Sequence, residues 1–299
     1  MEKKMLWKRV LIILACVAGG LVAVAIVLGV LNAVVADGAW TFGWTDYRYD
    51  ETDYEIGNGS IPYGEISQIE IDWIDGMVCI EACKDDYISL SEEADGELHD
   101  SVKLRWCVSE DGTLSVKYRK SAYYFGTGNE NRNKQLVVRI PERLFDGMQR
   151  IELSVASSNV MVKNVKAKSF DLETNSGNFI AEGCEFNAFS AETVSGAVVY
   201  NGVLHNSFEA DSKSGSILLI ADACPAEVEI ETASAAVKLQ FLKDISMTVN
   251  WTTKSGKLTS DISLSEKNGA YVAGEGSARV SVQTVSGDCI ITEKEAQAD

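Results

Sequence analysis

A Ser-Gly step returns about every 20 residues through most of the second half of the chain. The stretches "ETNSGNFIA" (173–181), "ETVSGAVVY" (192–200) and "DSKSGSILL" (211–219) are three consecutive copies. Aligned on that step, the copies are Ser157-Ser158, Ser176-Gly177, Ser195-Gly196, Ser214-Gly215, Ser234-Ala235, Ser255-Gly256 and Ser286-Gly287, at spacings of 19, 19, 19, 20, 21 and 31. Six residues before the step stand Ile151, Phe170, Phe189, Phe208, Val228, Val249 and Val280. Three after it stand Val160, Phe179, Val198, Ile217, Val237, Leu258 and Cys289. Positions four and two before, and five after, repeat the pattern, so each copy holds two short strands of period two with one apolar face. The step between them is a corner, where Gly accepts the backbone angles and Ser bonds the local backbone.

A fixed period near 20 with like residues at like positions is the signature of a solenoid. One copy cannot bury its own face; stacked copies form parallel sheets with continuous ladders inside. The expected fold is therefore all-β, a parallel β-solenoid (β-helix-like) with rungs of about 19–21 residues. The same pattern extends upstream around Asp75-Gly76, in "IEIDWIDGMVCI". It is less clean around Asp111-Gly112, in "LRWCVSEDGTLSV". Two polar insertions, 92–100 and 120–134, interrupt it, so the N-terminal third reads as a less regular β-rich cap. Within the 31-residue interval, residues 260–277 read as a hairpin or loop leaving one rung, a favoured place for binding.

The first segment is of another kind. Residues 10–36 are 27 residues without a charge. A bilayer core needs about 20 apolar residues as helix, and a secretory signal only about 7–15. A transmembrane anchor is the expectation, and a cleaved signal, with Ala33, Ala36 and Ala39 near its end, is the alternative. Lys3, Lys4, Lys8 and Arg9 precede the span, which sets the N-terminus inside and the bulk of the chain outside the cytoplasm. Trp40, Phe42, Trp44, Tyr47 and Tyr49 follow it, as an interfacial aromatic belt or as a first strand. The expected organisation is a basic cytoplasmic tail (1–9), the anchor (10–36), an aromatic juxtamembrane linker (37–54), the β-rich cap (55–150), the regular repeats (151–292) and a polar tail (293–299).

The part beyond residue 36 carries 23 basic and 43 acidic side chains. Such a surface repels nucleic acid and anionic headgroups, so partners should be neutral, cationic or cation-bridged. Six cysteines, Cys79, Cys83, Cys107, Cys184, Cys224 and Cys289, are too scattered for a disulfide framework. They read as small hydrophobes, with one or two bridges left open.

These residues resemble a known family. The repeated "TxSGxhxh" (h apolar) is similar to the bacterial putative-adhesin domain family, an extracytoplasmic β-solenoid. So are "ISQIEIDWIDGMVCI", "EDGTLSVKY", "QLVVRIPERLF" and "QTVSGDCII", in that order. The resemblance covers roughly residues 55–292. It implies adhesion and brings no catalytic residues. Some members of the family accompany regulators that respond to envelope stress. The chain departs from the pattern at Ser234-Ala235 and in having no detectable cytoplasmic regulatory domain.

Little chemistry stands out beside the repeat. His99 and His205 are too few for a histidine metal site. "SKSG" and "TKSG" resemble a strand of penicillin-recognising enzymes, but the chain has no SxxK nucleophile. No cofactor is expected. The column Glu173, Glu192, Asp211 and Glu231 reads as a solvated acidic stripe, with a cation site or a glycosidase pair as sharper readings. The expected function is a non-enzymatic, membrane-anchored, adhesin-like module that meets an envelope polysaccharide or protein. The alternatives are an accessory protein of envelope-stress signalling and a carbohydrate-active enzyme.

Overall fold

The computed structural model describes residues 44–293, apart from residues 63, 65, 126–132 and 243–244. The tail 1–9, the apolar segment 10–36 and residues 294–299 lie outside the described residues. Among the described residues no helix is long and apolar enough to cross a membrane.

The strands, in chain order, are β1 (Trp44–Tyr47), β2 (Glu55–Ile56), β3 (Gly59–Pro62), β4 (Gln68–Trp73), β5 (Met77–Cys83), β6 (Tyr87–Glu93), β7 (Arg105–Val108) and β8 (Thr113–Lys117). Then come β9 (Ala122–Phe125), β10 (Gln135–Pro141), β11 (Arg150–Val155), β12 (Asn159–Lys163), β13 (Lys166–Thr174), β14 (Phe179–Thr193), β15 (Val198–Ser212) and β16 (Ile217–Ala221). The last are β17 (Glu227–Thr232), β18 (Val237–Phe241), β19 (Met247–Thr253), β20 (Leu258–Ser260), β21 (Ser265–Lys267), β22 (Ala270–Ala273), β23 (Ala278–Thr284) and β24 (Cys289–Glu293).

The chain divides into two compact units. One comprises residues 1–50 and 121–129, and its described part is the antiparallel pair β1–β9. Of the two readings of the aromatic stretch, Trp44–Tyr47 forms a strand. The Tyr49 N–H donates to Ser121 Oγ at 3.0 Å, and the Tyr47 and Tyr49 rings meet edge to face.

The other unit, residues 51–120 and 130–299, holds a 22-stranded sheet. It is all-β, mostly parallel and solenoid-like, with two ladders joined at the Ser-Gly corners. The first ladder runs β8, β4, β11, β13, β14, β15, β17, β23, β19, each parallel to the next. The second runs β10, β5, β12, β14, β15, β16, β18, β24, β20, again all parallel. β14 and β15, 15 residues each, pass from the second ladder to the first through register shifts between Glu182 and Cys184 and between Phe186 and Ala188.

The core lies between the two ladders. In the first, Ile69, Ile151, Phe170, Phe189, Phe208, Val228, Val280 and Val249 stand in register and are buried. The rings of Phe170, Phe189 and Phe208 stack at 5.8 and 5.3 Å, each pair 12° from parallel. Identical rungs bring identical rings face to face, and offset stacking adds to their burial. Phe179 enters from the second ladder at 5.4 Å from both Phe170 and Phe189. Tyr200 is buried there too; its hydroxyl donates to Val203 O at 2.8 Å, so its polar end is satisfied.

Two sequence expectations are revised, and the rung order adds a finding of its own. Asp111-Gly112 is not a rung corner: β7 and β8 pair antiparallel, and Gly112, at φ 81°, closes their hairpin. The excursion 260–277 does not simply leave its rung. β21 and β22 form an antiparallel hairpin through Asn268 and Gly269, both at positive φ, and β22 pairs antiparallel with β19. The stack also departs from chain order. β23 lies between β17 and β19, and β24 between β18 and β20. At the other end, β8 and β10 lie outside β4 and β5.

Candidate interaction surface

The corners form one column. Ser157, Ser176, Ser195, Ser214, Ser234, Ser255 and Ser286 each donate a backbone N–H to the corner of a neighbouring rung, at 2.9–3.2 Å. Their hydroxyls reach across rungs as well. Ser195 Oγ donates to Asn175 O, Ser214 Oγ to Val194 O and Ser234 Oγ to Lys213 O, at 3.2–3.4 Å. The local bond expected of the serine belongs instead to the residue two positions before it. Thr193, Ser212, Thr232, Thr253 and Thr284 each accept the N–H three residues on, from Gly196, Gly215, Ala235, Gly256 and Gly287, at 2.7–3.0 Å.

Gly is required here by close approach. A Cβ on Gly196 would collide with Gly177 O, and one on Gly215 with Gly196 O. The order of the column carries the same exchange as the strands: Gly287 sits over Ala235 O, and Gly256 over Gly287 O. These corners are architecture, and they hold the strands whose outward residues form the surface.

The outward face of the first ladder is acidic. Asp72, Ser154, Glu173, Glu192, Asp211, Glu231 and Gln283 stand in one register column. The stripe expected from the sequence is thus four adjacent rungs of one ladder. The next column reads Glu70, Glu152, Asp171, Ser190, Glu209 and Glu229, and Glu227 adds a further carboxylate. Lys117, Arg150 and Arg279 bring positive charge to this face. Arg150 pairs with Asp171 at 2.8 Å and Glu152 at 2.9 Å, Lys117 with Asp72 at 3.5 Å and Arg279 with Glu227 at 3.3 Å.

The cations sit toward the two ends, and the middle rungs hold carboxylates against carboxylates. Neighbouring rungs are about 4.8 Å apart, close enough for like charges to interact strongly. Partial burial, then Glu231, Glu192, Glu209 and Glu229 beside it, push Asp211 up to about 6. Burial and Glu192 also raise Glu173. Among the described residues no cluster of three or more His, Cys, Asp or Glu is arranged to hold a metal ion. The stripe is a flat ladder and not a cage.

At the N-terminal end of the stack a shallow cleft of about 550 Å³ is lined by Asn58, Ser60, Tyr87, Ser89, Ser91 and Arg139. Deeper in, Lys134 is buried. Its ammonium pairs with buried Glu92 at 2.5 Å and donates to Val102 O at 2.7 Å and to Tyr118 O. It also lies 3.9 Å from the Tyr118 ring centre and 4.8 Å from that of Trp73. Burial lowers Lys134 to about 8, with Glu92 acting against that shift. This pair was not legible in the sequence, where both residues bound polar insertions.

All six described cysteines are free. Cys184 and Cys289 are buried, and burial pushes their thiols up to about 11 and about 12. They are packing residues, not nucleophiles. His205 lies on β15, exposed and 3.1 Å from Glu185. Trp73 is fully buried, while Trp106 and Trp251 are half-buried.

Two parallel ladders closed by a column of Ser-Gly corners define a class of solenoid-like all-β modules that present flat outer faces. The chain belongs to the Toastrack DUF4097 family, whose profile matches residues 66–292. Among solved structures it is similar to a "putative cell adhesion protein" from Clostridium sporogenes, at 12% identity and TM-score 0.38, over 81% of this chain and 99% of that one. A "putative adhesin" from Bacteroides fragilis matches at 12% identity and TM-score 0.45, over 80% and 97%. A "putative lipid binding protein" from Parabacteroides distasonis matches at 16% identity and TM-score 0.42, over 81% and 98%. No curated protein matches the chain.

Proposed function

We propose that the chain is a membrane-anchored, extracytoplasmic, adhesin-like interaction module without catalysis, and that the acidic face of its first ladder docks a basic partner on the cell envelope. The observation that carries this reading is the run of carboxylates from Glu173 to Glu231, four rungs in register that meet no cation among the described residues. A rigid parallel ladder holds those charges at a fixed repeat. A cationic polymer or a basic protein face would relieve their mutual repulsion, and the attraction would weaken with salt. The uncharged span 10–36 and the basic residues before it support anchoring with the bulk outside.

The test uses the full-length chain in lipid nanodiscs. Binding of a cationic glycan and of polylysine is measured against neutral and anionic glycans at rising ionic strength. Preferential binding to the cationic ligands is expected, with loss at about 0.5 M salt, where the screening length falls to roughly 4 Å. Glu192→Lys with Asp211→Lys should abolish it. Binding that ignores both salt and these substitutions would overturn the reading. So would release of shorter sugars, which would return the chain to the carbohydrate-active enzymes.

A further inference from the structure

The outward face of the second ladder is the opposite of the first. Val137, Cys79, Met161, Ile180, Val199, Leu218, Lys238 and Ile290 stand in one register column over eight consecutive rungs. All but one are apolar. Ile290 is 40% exposed, and the other apolar members are partly exposed. In a stacked ladder each side chain shields its neighbours, so the row offers one continuous apolar strip rather than isolated exposed residues. Ile220 widens it on β16. The flanking charges nearly cancel: Arg139, Lys163 and Lys238 stand against Glu81 and Glu182, with Arg139 and Glu81 paired at 2.7 Å.

We infer that this face is a homodimer interface, in which the second ladder of one copy packs against the second ladder of another. Charge selects the occupant. The chain carries a net −17, so two copies repel through most of their surface, and this nearly neutral strip is where they can approach. The size is adequate. Eight rungs about 4.8 Å apart and five residues of about 3.3 Å give roughly 550 Å² per copy. Two copies then bury about 1,100 Å², just above the roughly 1,000 Å² a specific contact needs and the size of a weak, reversible interface.

Lys238 sets the orientation. A two-fold axis along the stack would set Lys238 against its own copy. An axis along the strands pairs the first rung of the strip with the eighth and the second with the seventh. Lys238 of one copy then faces the rung of Cys79 and Glu81 in the other, and the Ile180 rung faces the Val199 rung.

That arrangement is tested by disulfide trapping of the full-length chain in membranes. Under mild oxidation, the cysteine introduced by Lys238→Cys should form an intermolecular disulfide with native Cys79. The link is seen as a dimer on non-reducing gels, and by mass spectrometry as a peptide pair joining Cys79 to the introduced cysteine. Adding Cys79→Ser should abolish the link. Leu218→Glu should reduce its yield at least tenfold, and should turn the wild-type dimer into a monomer by sedimentation in detergent. Thermal melts of each variant establish that the fold is kept, and Val199→Lys serves if Leu218→Glu does not fold. A wild-type chain that sediments as a monomer would overturn the proposal. A link from the introduced cysteine to a different envelope protein, or a trapped dimer indifferent to both face substitutions, would do the same.

Discussion

Thr193 is buried and accepts the Gly196 N–H at 2.9 Å, while the exposed Ser195 hydroxyl reaches only a neighbouring carbonyl at 3.4 Å. The two residues of the TxSG motif therefore carry unequal loads. Thr193→Val leaves a buried N–H without an acceptor and should cost about 1–3 kcal/mol in urea denaturation. Gly196→Ala should cost a similar ~1–3 kcal/mol, because its Cβ meets Gly177 O and the corner must shift. Ser195→Ala should stay within about 0.5 kcal/mol. The fold should survive each change, since Ala235 already places a Cβ in the corner column. An equal loss for Ser195→Ala and Thr193→Val would refute this division. The acidic face makes a prediction in pH. Asp211 titrates near 6 in the folded chain, above the roughly 3.9 of an unfolded aspartate. The folded state thus holds the proton more tightly. The stability this gives is fully present below about pH 4 and is lost as pH rises through 6. Because Asp211 is more than a third exposed despite its partial burial, solvent screening holds the effect to under about 1 kcal/mol. Asp211→Asn should raise Tm by about 1–3 °C at pH 7, and the two chains should melt together at pH 4. Comparing them cancels groups that titrate the other way, such as Glu185, held low by Lys166 and His205. A Tm difference that persists at pH 4 would exclude repulsion as its cause.

At the scale of elements, what could be read from the sequence follows the period. Strands whose inward residues repeat at a fixed offset from Ser-Gly, such as β13 to β18, lie where the alternation puts them, because a one-residue slip would turn every core side chain outward. The acidic stripe was legible for the same reason: Glu173, Glu192, Asp211 and Glu231 share one offset. Pairings that depend on direction were not legible. Asp111-Gly112 and Asp75-Gly76 look alike in sequence, yet the first turns an antiparallel hairpin and the second a rung corner. Alternation is the same for either, and only the identity of the paired strand separates them. The Glu92–Lys134 pair escaped for a different reason. A charged residue at the border of a polar insertion looks solvated, and its burial depends on Tyr118 and Trp73, which are distant in sequence. The hairpin β21–β22 was visible in its Asn268-Gly269 turn, whose positive φ angles suit a two-residue hairpin loop. Its role was not: β22 covers the outer edge of β19, a row of backbone groups that would otherwise invite pairing. The apolar strip on the second ladder is hidden in the sequence by its own composition. Where a strand is apolar at every position, as in β16, alternation does not mark which residues face out.

In the whole molecule, the exchanged rung order changes how the stack should come apart. A solenoid stacked in chain order loses its terminal rung by fraying, each repeat resting only on its neighbours. Here the last rung in sequence, β23 with β24, is held on both sides, by β17 and β18 below and by β19 and β20 above. The side chains follow: Gln283 bonds Glu231 at 3.1 Å across a separation of 52 residues. The C-terminal strands thus act as a key between two earlier rungs. Truncation after residue 277 should remove more than its own rung, because β19 and β20 lose their only parallel neighbours among the described strands. We expect Tm to fall by about 10 °C or more, with hydrogen exchange protection lost over residues 247–260 as well. The reverse deletion should be tolerated. Replacing residues 242–277 with a five-residue link, like that between Ala221 and Glu227, removes the outermost rung and its hairpin and leaves β23 and β24 on β17 and β18. That shorter chain should melt cooperatively, near the wild type. If the truncated chain instead melts like the wild type, with residues 247–260 still protected, the C-terminal rung is not the key and the stack is held by its earlier rungs alone.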